Sequence, residues 1–205
     1  MTTEINLLKK ELRKRLIYER SNIDEGKRKQ YDTAIFEKLV SLKEYRESDL
    51  ILVYASYNGE VDTYRLIDRA ITDGKKVACP RCRIGRDIPL LDFYMITSTD
   101  DLIPGYKGIP EPRTDRTDKL TGEEIQGCLV IVPLVGYDKA CNRLGYGKGF
   151  YDRFFKANMD LKKIGLAYRC QEEDMLPTDE YDIKLDMIVN ESDKALRSIY
   201  EGIDL

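Results

Sequence analysis

The chain has 205 residues, with 34 Lys or Arg against 37 Asp or Glu, so its formal net charge is −3. This length is typical of one domain, and a composition that is 42% apolar and 35% charged is typical of a folded, soluble protein. The chain contains no histidine. That absence excludes Ser-His-Asp and Cys-His nucleophile systems and every metal site that needs imidazole.

The sequence predicts a cytoplasmic monomer that does not enter a membrane. Residues 1–4 lack the basic and apolar segments of a signal peptide, and no apolar run approaches the ~18 residues of a membrane helix. The five cysteines are an odd number in a chain of this size, which argues against a disulfide scaffold.

The first predicted element is an amphipathic basic helix over residues 5–20. The apolar residues predicted to face inward are Ile5, Leu8, Leu12 and Leu16. Its Lys and Arg side chains are either a solvated helix surface or a phosphate-binding surface. Nucleic acid is not an expected partner, because the rest of the chain is acidic and no interleaved basic and aromatic pattern occurs.

After a second helix at 24–42, short apolar strands alternate with helices. The predicted strands are 50–54, 75–79, 90–96, 129–134, 163–168 and 185–189. Further helices are predicted after Asp62 or Thr63 and over 151–158, and residues 104–127 are predicted to be mostly loop. This alternation indicates one domain, residues 1–205, with a three-layer α/β/α fold, a mostly parallel sheet and N-terminal helices.

The segment from Asn142 to Arg153 follows the most apolar strand and carries the strongest functional signal. Its glycines allow sharp turns that expose amide N–H groups, while Arg143 and Lys148 add positive charge before a helix. These are the parts of a phosphate site. The segment is not a P-loop or a dinucleotide-binding motif, since Phe150 stands where the latter needs glycine. A plain glycine-rich connection is the alternative.

Carboxylates near this segment are candidate magnesium ligands. Asp152 lies one turn into the predicted helix, where it either binds Mg²⁺ beside a phosphate or interacts with the helix dipole. Asp182 and Asp186, four positions apart, are candidates for a second oxygen ligand.

Cys79 and Cys82 form a CxxC motif, which suggests zinc binding or thiol exchange. Zinc would need a second pair of ligands, but the other cysteines are scattered and histidine is absent. A thiol-exchange motif opens a helix, whereas this one ends a predicted strand. We therefore expect both cysteines to be structural, with a thiol-redox protein as the alternative.

The segment from Tyr54 to Thr63 also follows an apolar strand. Ligands of open α/β sheets bind beyond the carboxyl ends of strands, so this loop and the glycine-rich segment are predicted to share one cleft. Glu60 would accept hydrogen bonds from amide-like N–H donors and Tyr54 would pack against a ring. An ordinary surface carboxylate is the alternative for Glu60.

Several motifs occur together in one order along the chain. They are Lys9-x-x-Leu12-Arg13, Glu60-Val61-Asp62-Thr63, Pro80-Arg81, Ile109-Pro110-Glu111-Pro112, Val132-Pro133 through Asp138, Asn142 through Asp152, and Asp182-x-x-x-Asp186. In these motifs and their order, nearly the whole chain resembles the 5-formyltetrahydrofolate cyclo-ligase family, also called 5,10-methenyltetrahydrofolate synthetase.

The resemblance implies a cyclisation of 5-formyltetrahydrofolate to 5,10-methenyltetrahydrofolate that uses Mg²⁺ and ATP and phosphorylates the formyl oxygen. It implies ATP binding by Lys9, Lys10, Arg13, Arg143, Gly145, Gly147, Lys148, Gly149 and Tyr151, with Lys148 and Arg143 catalytic. It implies a folate site of Tyr54, Ala55, Glu60, Tyr146 and Phe150, and a magnesium site of Asp152 and Asp182.

The chain departs from the family pattern at several positions. Phe150 replaces a usual tyrosine, Cys82 and Lys107 occupy positions that are often aromatic, and Tyr181 stands where histidine is common. Gly136 and Tyr137 stand where a phenylalanine commonly precedes the aspartate. These departures concern how the pterin packs. The alternatives to the ligase are another phosphate-handling enzyme, such as a small-molecule kinase, and a non-catalytic folate- or nucleotide-binding regulator.

Overall fold

A seven-stranded sheet lies at the centre of the computed structural model, which describes residues 2–84, 89–192 and 195–198. The helices are α1 (Thr2–Ser21), α2 (Glu25–Ser41), α3 (Lys43–Glu47), α4 (Tyr64–Thr72) and α5 (Phe150–Ala157). The strands are β1 (Leu50–Val53), β2 (Lys76–Arg83), β3 (Leu90–Ile96), β4 (Leu102–Pro104), β5 (Pro110–Pro112), β6 (Leu129–Val132), β7 (Gly136–Asp138), β8 (Arg143–Leu144), β9 (Lys162–Leu166), β10 (Glu172–Glu173), β11 (Met187–Val189) and β12 (Leu196–Arg197).

The central sheet is mostly parallel, as the sequence predicts. Its strand order is β12-β11-β9-β6-β1-β2-β3, and only the edge strands β12 and β3 are antiparallel to their neighbours. Strands β1 and β6, in the middle, are buried along their whole length. Continuous apolar runs without alternation are typical of strands that are covered on both faces.

Helices cover both faces of the sheet, which confirms the three-layer arrangement. On one face α2 and α4 pack against the strands through residues that include Ile35, Leu39 and Ile67. On the other face α5 packs through Phe154 and Phe155. Among the described helices, none is long and apolar enough to cross a membrane.

A hairpin of β7 and β8 lies between β6 and the glycines at 145–149, and β8 is formed by residues of the glycine-rich segment itself. The prediction that this segment directly follows the apolar strand is therefore wrong. Strands β7 and β8 pair antiparallel, and β10 joins β7 to form a small second sheet. The turn between them is stabilised by Asp138, whose carboxylate accepts hydrogen bonds from the backbone and side-chain amides of Asn142. Strands of two and three residues have no apolar alternation, so their sequence pattern does not reveal them.

Helix α1 is rotated relative to the predicted orientation. Leu16 is fully buried as expected, but Leu8 is 55% exposed and the prediction for it is wrong. The face directed at the protein carries Lys9, Arg13 and Arg20 together with Leu16, at spacings of four, three and four residues. The basic residues of this face point inward because polar groups of three distant loops, at Asp182, Gly145 and Asn58, accept their hydrogen bonds.

Candidate active site

Arg13 joins α1 to the glycine-rich segment. Its Nε donates a 2.7 Å hydrogen bond to the carbonyl oxygen of Gly145. A side chain at Gly147 would begin only 3.1 Å from the guanidinium carbon of Arg13, so glycine leaves room for the arginine. Burial lowers the pKa of Arg13, and the negative charges of Asp182 and Asp152 oppose that change. Arg13 therefore lies close to both predicted magnesium ligands.

Arg143 forms a buried ion pair at the start of the glycine-rich segment. One of its terminal nitrogens donates a 2.8 Å hydrogen bond to Oδ1 of Asp152, and the guanidinium lies 5.7 Å from the ring centre of Tyr151. The Nε atom of Arg143 and the hydroxyl of Tyr151 are buried and have no hydrogen-bond partner among the described residues. Buried polar atoms normally have a partner, so these two atoms fit a site that a polar ligand completes.

Lys148 lies at the exposed tip of the same segment. The flanking glycines have left-handed backbone angles, with φ of 89° at Gly147 and 63° at Gly149, and Arg153 donates a 2.7 Å hydrogen bond to the Lys148 carbonyl oxygen. No carboxylate of the described residues pairs with the Lys148 ammonium. The ammonium is therefore free to meet a phosphate oxygen that enters from solvent.

Lys9 is buried between two aspartates. Its ammonium lies 2.7 Å from Oδ2 of Asp179 and 2.5 Å from Oδ2 of Asp182, and the residue is 5% exposed. Burial alone would lower the pKa of Lys9, but the hydrogen bonds to the two carboxylates outweigh it and raise the pKa. Lys9 is thus a permanent cation at the edge of the site.

The two predicted magnesium ligands belong to one neighbourhood. The backbone N–H of Ile183, next to Asp182, donates a 3.4 Å hydrogen bond to Oδ1 of Asp152. The hydrogen bonds that these aspartates accept are on Oδ1 of Asp152 and Oδ2 of Asp182, so each has a second oxygen without a donor among the described residues. No group of three or more carboxylates or thiolates suited to a metal occurs in the described part of the chain. A pair of carboxylates fits Mg²⁺, which completes its shell with waters and phosphate oxygens.

Glu60 and Tyr146 meet across the cleft, as the predicted shared site requires. The Tyr146 hydroxyl donates a 2.6 Å hydrogen bond to Oε1 of Glu60, and the backbone N–H of Tyr57 donates a 2.9 Å hydrogen bond to Oε2. Burial raises the pKa of Glu60, whereas the hydrogen bond from Tyr146 and the charge of Arg20 lower it. The loop after β1 and the glycine-rich segment therefore face one another.

Some predicted site residues lie apart from this group. Tyr54 is 4% exposed and its hydroxyl donates a 3.3 Å hydrogen bond to the Val61 carbonyl, so it lines the floor of the cleft from within the core. Ala55 is likewise buried. Phe150 is half-buried under the guanidinium of Arg153. Lys10 points into solvent, one residue away from the inward face of α1.

The CxxC motif lies within β2, from its fourth to its seventh residue. Residues three apart on a strand point to opposite faces of the sheet, so Cys79 and Cys82 are not arranged as a redox pair. Burial raises the pKa of both thiols, to about 12 for Cys82, where the charge of Glu111 contributes. All five cysteines are free. These facts agree with the predicted structural role.

Two further residues of the site were missed by sequence reasoning. Arg20 is 1% exposed and donates a 3.1 Å hydrogen bond to the Tyr146 hydroxyl. Asp179 shares the Lys9 ammonium with Asp182. A signal for Arg20 existed in its spacing of seven residues from Arg13, which places both on one helix face. Nothing in the sequence pattern distinguished Asp179 from its acidic neighbours.

Comparison with known proteins identifies the family. Residues 6–191 match the model of the 5-formyltetrahydrofolate cyclo-ligase family. The chain belongs to this family. Its fold and its ordered motifs are those of the cyclo-ligases, which confirms the resemblance inferred from the sequence.

Several cyclo-ligases are similar over most of the chain. The probable 5-formyltetrahydrofolate cyclo-ligase of Caenorhabditis elegans is 31% identical, over 94% of this chain and 97% of its own length. The Haemophilus influenzae cyclo-ligase is 32% identical, over 81% of this chain and 88% of its own. The NMR structure of Aquifex aeolicus 5,10-methenyltetrahydrofolate synthetase matches with a TM-score of 0.81 and 32% identity, over 97% of this chain and 96% of that one.

Proposed function

We propose that this cyclo-ligase converts 5-formyltetrahydrofolate and ATP to 5,10-methenyltetrahydrofolate, ADP and phosphate. The observation that carries the proposal is the juxtaposition of two surfaces within one cleft. Arg13 contacts the glycine-rich segment, which itself carries Arg143 and Lys148. Tyr146 of the same segment donates a hydrogen bond to Glu60 on the opposite loop. A phosphate-binding surface thus adjoins a carboxylate that accepts N–H donors.

The chemical problem is that an N-formyl group is an amide and a poor electrophile, with an oxygen that does not leave easily. Transfer of the γ-phosphoryl group to the formyl oxygen breaks the bond to ADP and makes that oxygen part of a good leaving group. The N10 nitrogen then attacks the formyl carbon, the carbon–oxygen bond breaks, and phosphate departs with the proton that N10 loses. Catalysis of such a sequence depends mainly on positioning and on neutralising phosphoryl charge, so the absence of histidine is compatible with it.

The residues at the glycine-rich segment bind the nucleotide in this proposal. Lys9 and Arg13 reach the phosphates from α1, and the backbone from Gly145 to Gly149 turns around them. Arg143 and the exposed Lys148 neutralise the transferring oxygens. Lys10 does not contact the nucleotide in this proposal, because its side chain is exposed to solvent.

Asp152 and Asp182 would hold Mg²⁺ in the proposed site through their unpaired oxygens. The ion supplies charge neutralisation for the polyphosphate and orients it. Lys9 pairs with Asp182 and Arg143 pairs with Asp152, so each carboxylate already has a cation beside it.

The folate lies against Glu60, Tyr146 and Phe150 in this proposal, with Tyr54 and Ala55 below it. A partly buried carboxylate favours a ring system that presents N–H groups to it. A ligand without such donors would leave the carboxylate oxygens unpaired, which costs binding free energy. Phe150 offers a flat surface without a hydroxyl, so it packs against the substrate and donates no hydrogen bond.

We propose further that the enzyme acts as a monomer in the cytoplasm, as one domain over residues 1–205. Its five free cysteines are typical of a reducing compartment.

The test is to mix the protein with MgATP and 5-formyltetrahydrofolate and to follow the near-ultraviolet absorbance of the methenyl product. The expected result is absorbance that rises in proportion to enzyme, with one ADP formed for each methenyl group. Omission of ATP or of Mg²⁺ should abolish the rise. ADP formation without methenyl product would overturn the cyclisation and indicate a kinase or an ATPase instead.

A further inference from the structure

Arg20 is a buried charge that the proposed reaction does not use directly. It lies in the last turn of α1 and is 1% exposed. Its terminal nitrogens donate to the hydroxyl of Tyr146 at 3.1 Å and to the carbonyl oxygens of Asn58 and Leu134 at 3.0 and 3.5 Å. No carboxylate of the described residues lies within ion-pair distance of it. A buried cation without a direct counter-ion needs a physical explanation.

The carboxylate of Glu60 is connected to Arg20 through the Tyr146 hydroxyl. Tyr146 accepts a hydrogen bond from Arg20 and donates one of 2.6 Å to Oε1 of Glu60. The hydroxyl thus connects a cation to a carboxylate, and each end polarises it in the same direction. The guanidinium also lies 5.9 Å from the centre of the Tyr146 ring, which holds the ring over it.

Hydrogen bonds from Arg20 and Arg28 also fix the loop that carries Glu60. Asn58 and Gly59 have left-handed backbone angles, with φ of 51° and 77°. Their carbonyl oxygens accept hydrogen bonds from Arg20 at 3.0 Å and from Arg28 at 2.8 Å, respectively. Arg28 also donates a 2.6 Å hydrogen bond to the Arg20 carbonyl. The two arginines therefore fix the turn immediately before the carboxylate.

We propose that Arg20 is a positioning residue for folate binding, which holds Glu60 in place through the Tyr146 hydroxyl and the Asn58 carbonyl. The inference rests on the proposed function, because it assigns Glu60 to the folate. Since Arg20 and the nucleotide-side residue Arg13 share one face of α1, the same helix positions both halves of the site.

The charged and titratable groups around Glu60 are consistent with this role. Those that face its side chain are Arg20, Tyr54, Tyr146 and Tyr151, while Tyr168 and Arg28 approach the backbone beside it. Burial raises the pKa of each tyrosine, so they stay neutral near pH 7. Arg20 is the cation whose charge lowers the pKa of Glu60. Loss of that charge should move the ionisation of Glu60 to higher pH.

The decisive experiment measures steady-state kinetics of wild type, Arg20→Met and Arg20→Lys across pH. Arg15→Met is the control, because Arg15 lies on the same helix but pairs at the surface with Glu19 and Glu173. We expect Arg20→Met to raise the KM for 5-formyltetrahydrofolate by about 10- to 100-fold, the loss typical of a hydrogen bond to a charged group. The KM for ATP should change little, and the acid limb of kcat/KM for folate should shift to higher pH. Arg20→Lys keeps the charge and should restore part of the folate affinity.

Equal changes in both KM values, or an acid limb that does not move, would overturn the positioning role. If Arg20→Met does not fold, Tyr146→Phe provides the test. This variant removes the hydroxyl that connects Arg20 to Glu60, and Tyr146 lies outside the buried core. Its acid limb should shift in the same direction, and an unshifted limb would contradict the connection through Tyr146.

Turnover by the wild-type enzyme tests the proposed function separately. If wild type does not turn over, calorimetric titration with 5-formyltetrahydrofolate alone still compares wild type with the Arg20 and Tyr146 variants. Equal affinity of all of them, or no binding by wild type, would refute the inference.

Discussion

The ammonium of Lys9 lies 2.5 Å from Oδ2 of Asp182, although 173 positions separate the two residues in the chain. This ion pair connects the first helix to the loop that precedes β11, and it places a cation beside a proposed magnesium ligand. In the proposed site, an ion bound by Asp182 would therefore lie close to the Lys9 ammonium.

Asp152→Asn and Asp182→Asn should each raise the Mg²⁺ concentration needed for half-maximal rate. Both carboxylates are assigned to one ion, so the double variant should lose less than the product of the two single losses. The measurement is rate against Mg²⁺ at saturating ATP and folate. Glu180→Gln, an exposed neighbour of Asp182, is the control. Simple multiplication of the two effects would refute a shared ion.

Lys148→Ala should lower kcat by about 10²- to 10³-fold and leave the fold intact, the usual effect of removing one group that neutralises transition-state charge. The side chain is exposed and supports no core packing, so the unfolding midpoint should not change. Lys156→Ala, on the exposed side of α5, is the matched control. A rate within a few-fold of wild type would remove Lys148 from the mechanism.

Arg13→Ala should raise the KM for ATP more than the KM for folate, because Arg13 lies against Gly145 and Gly147 on the nucleotide side. Lysine should substitute poorly, since a guanidinium can pair with two phosphate oxygens at once and an ammonium cannot. Initial rates with each substrate varied in turn provide the comparison. An unchanged ATP dependence would mean that Arg13 has a structural role only.

Replacement of both Cys79 and Cys82 by serine should retain most activity. Their thiols lie on opposite faces of β2 and stay protonated near pH 7, because burial raises the pKa of each. The assay is turnover in the presence and absence of reductant, with circular dichroism to check folding. Complete loss of activity in a folded double variant would restore the redox interpretation.

The pair of Lys9 and Asp179 should make stability depend on pH in the acid range. The hydrogen bond from Lys9 lowers the pKa of Asp179, so the carboxylate stabilises the fold above its unfolded pKa of about 3.9. That contribution is lost as pH falls through the lower, folded pKa. Wild type should therefore unfold at a higher temperature than Asp179→Asn at neutral pH, and the difference should shrink below about pH 4. A difference that is constant with pH would contradict the assignment.

Elements that depend on apolar burial are predictable from the sequence alone. Residues 129–132 form a strand in the middle of the sheet because four consecutive apolar side chains are stable only when both faces are covered. The predicted strand at Leu90–Ile96 has the observed bounds, and α2 begins beside its cap Asp24. Apolar side chains are stabilised by burial against almost any apolar surface. Their spacing therefore predicts an element even when the residues that pack against it are unknown.

The glycine-rich segment and its charged residues were also identified from the sequence. Gly147 and Gly149 have left-handed backbone angles, which favour glycine, and glycines are directly visible in a sequence. The hairpin of β7 and β8 was not identified, because strands of three and two residues are too short to show an apolar alternation.

The pairing of the charged residues depends on tertiary contacts that the sequence pattern does not contain. The same apolar periodicity placed Leu8 inward on α1, yet the helix buries Lys9 and Arg20 instead. A buried cation is tolerated only where distant groups satisfy it, and those groups come from elements more than a hundred residues away, such as Tyr146 for Arg20 and Asp182 for Lys9. No local pattern contains that information, because the free energy of a buried charge depends on partners that folding alone brings into contact.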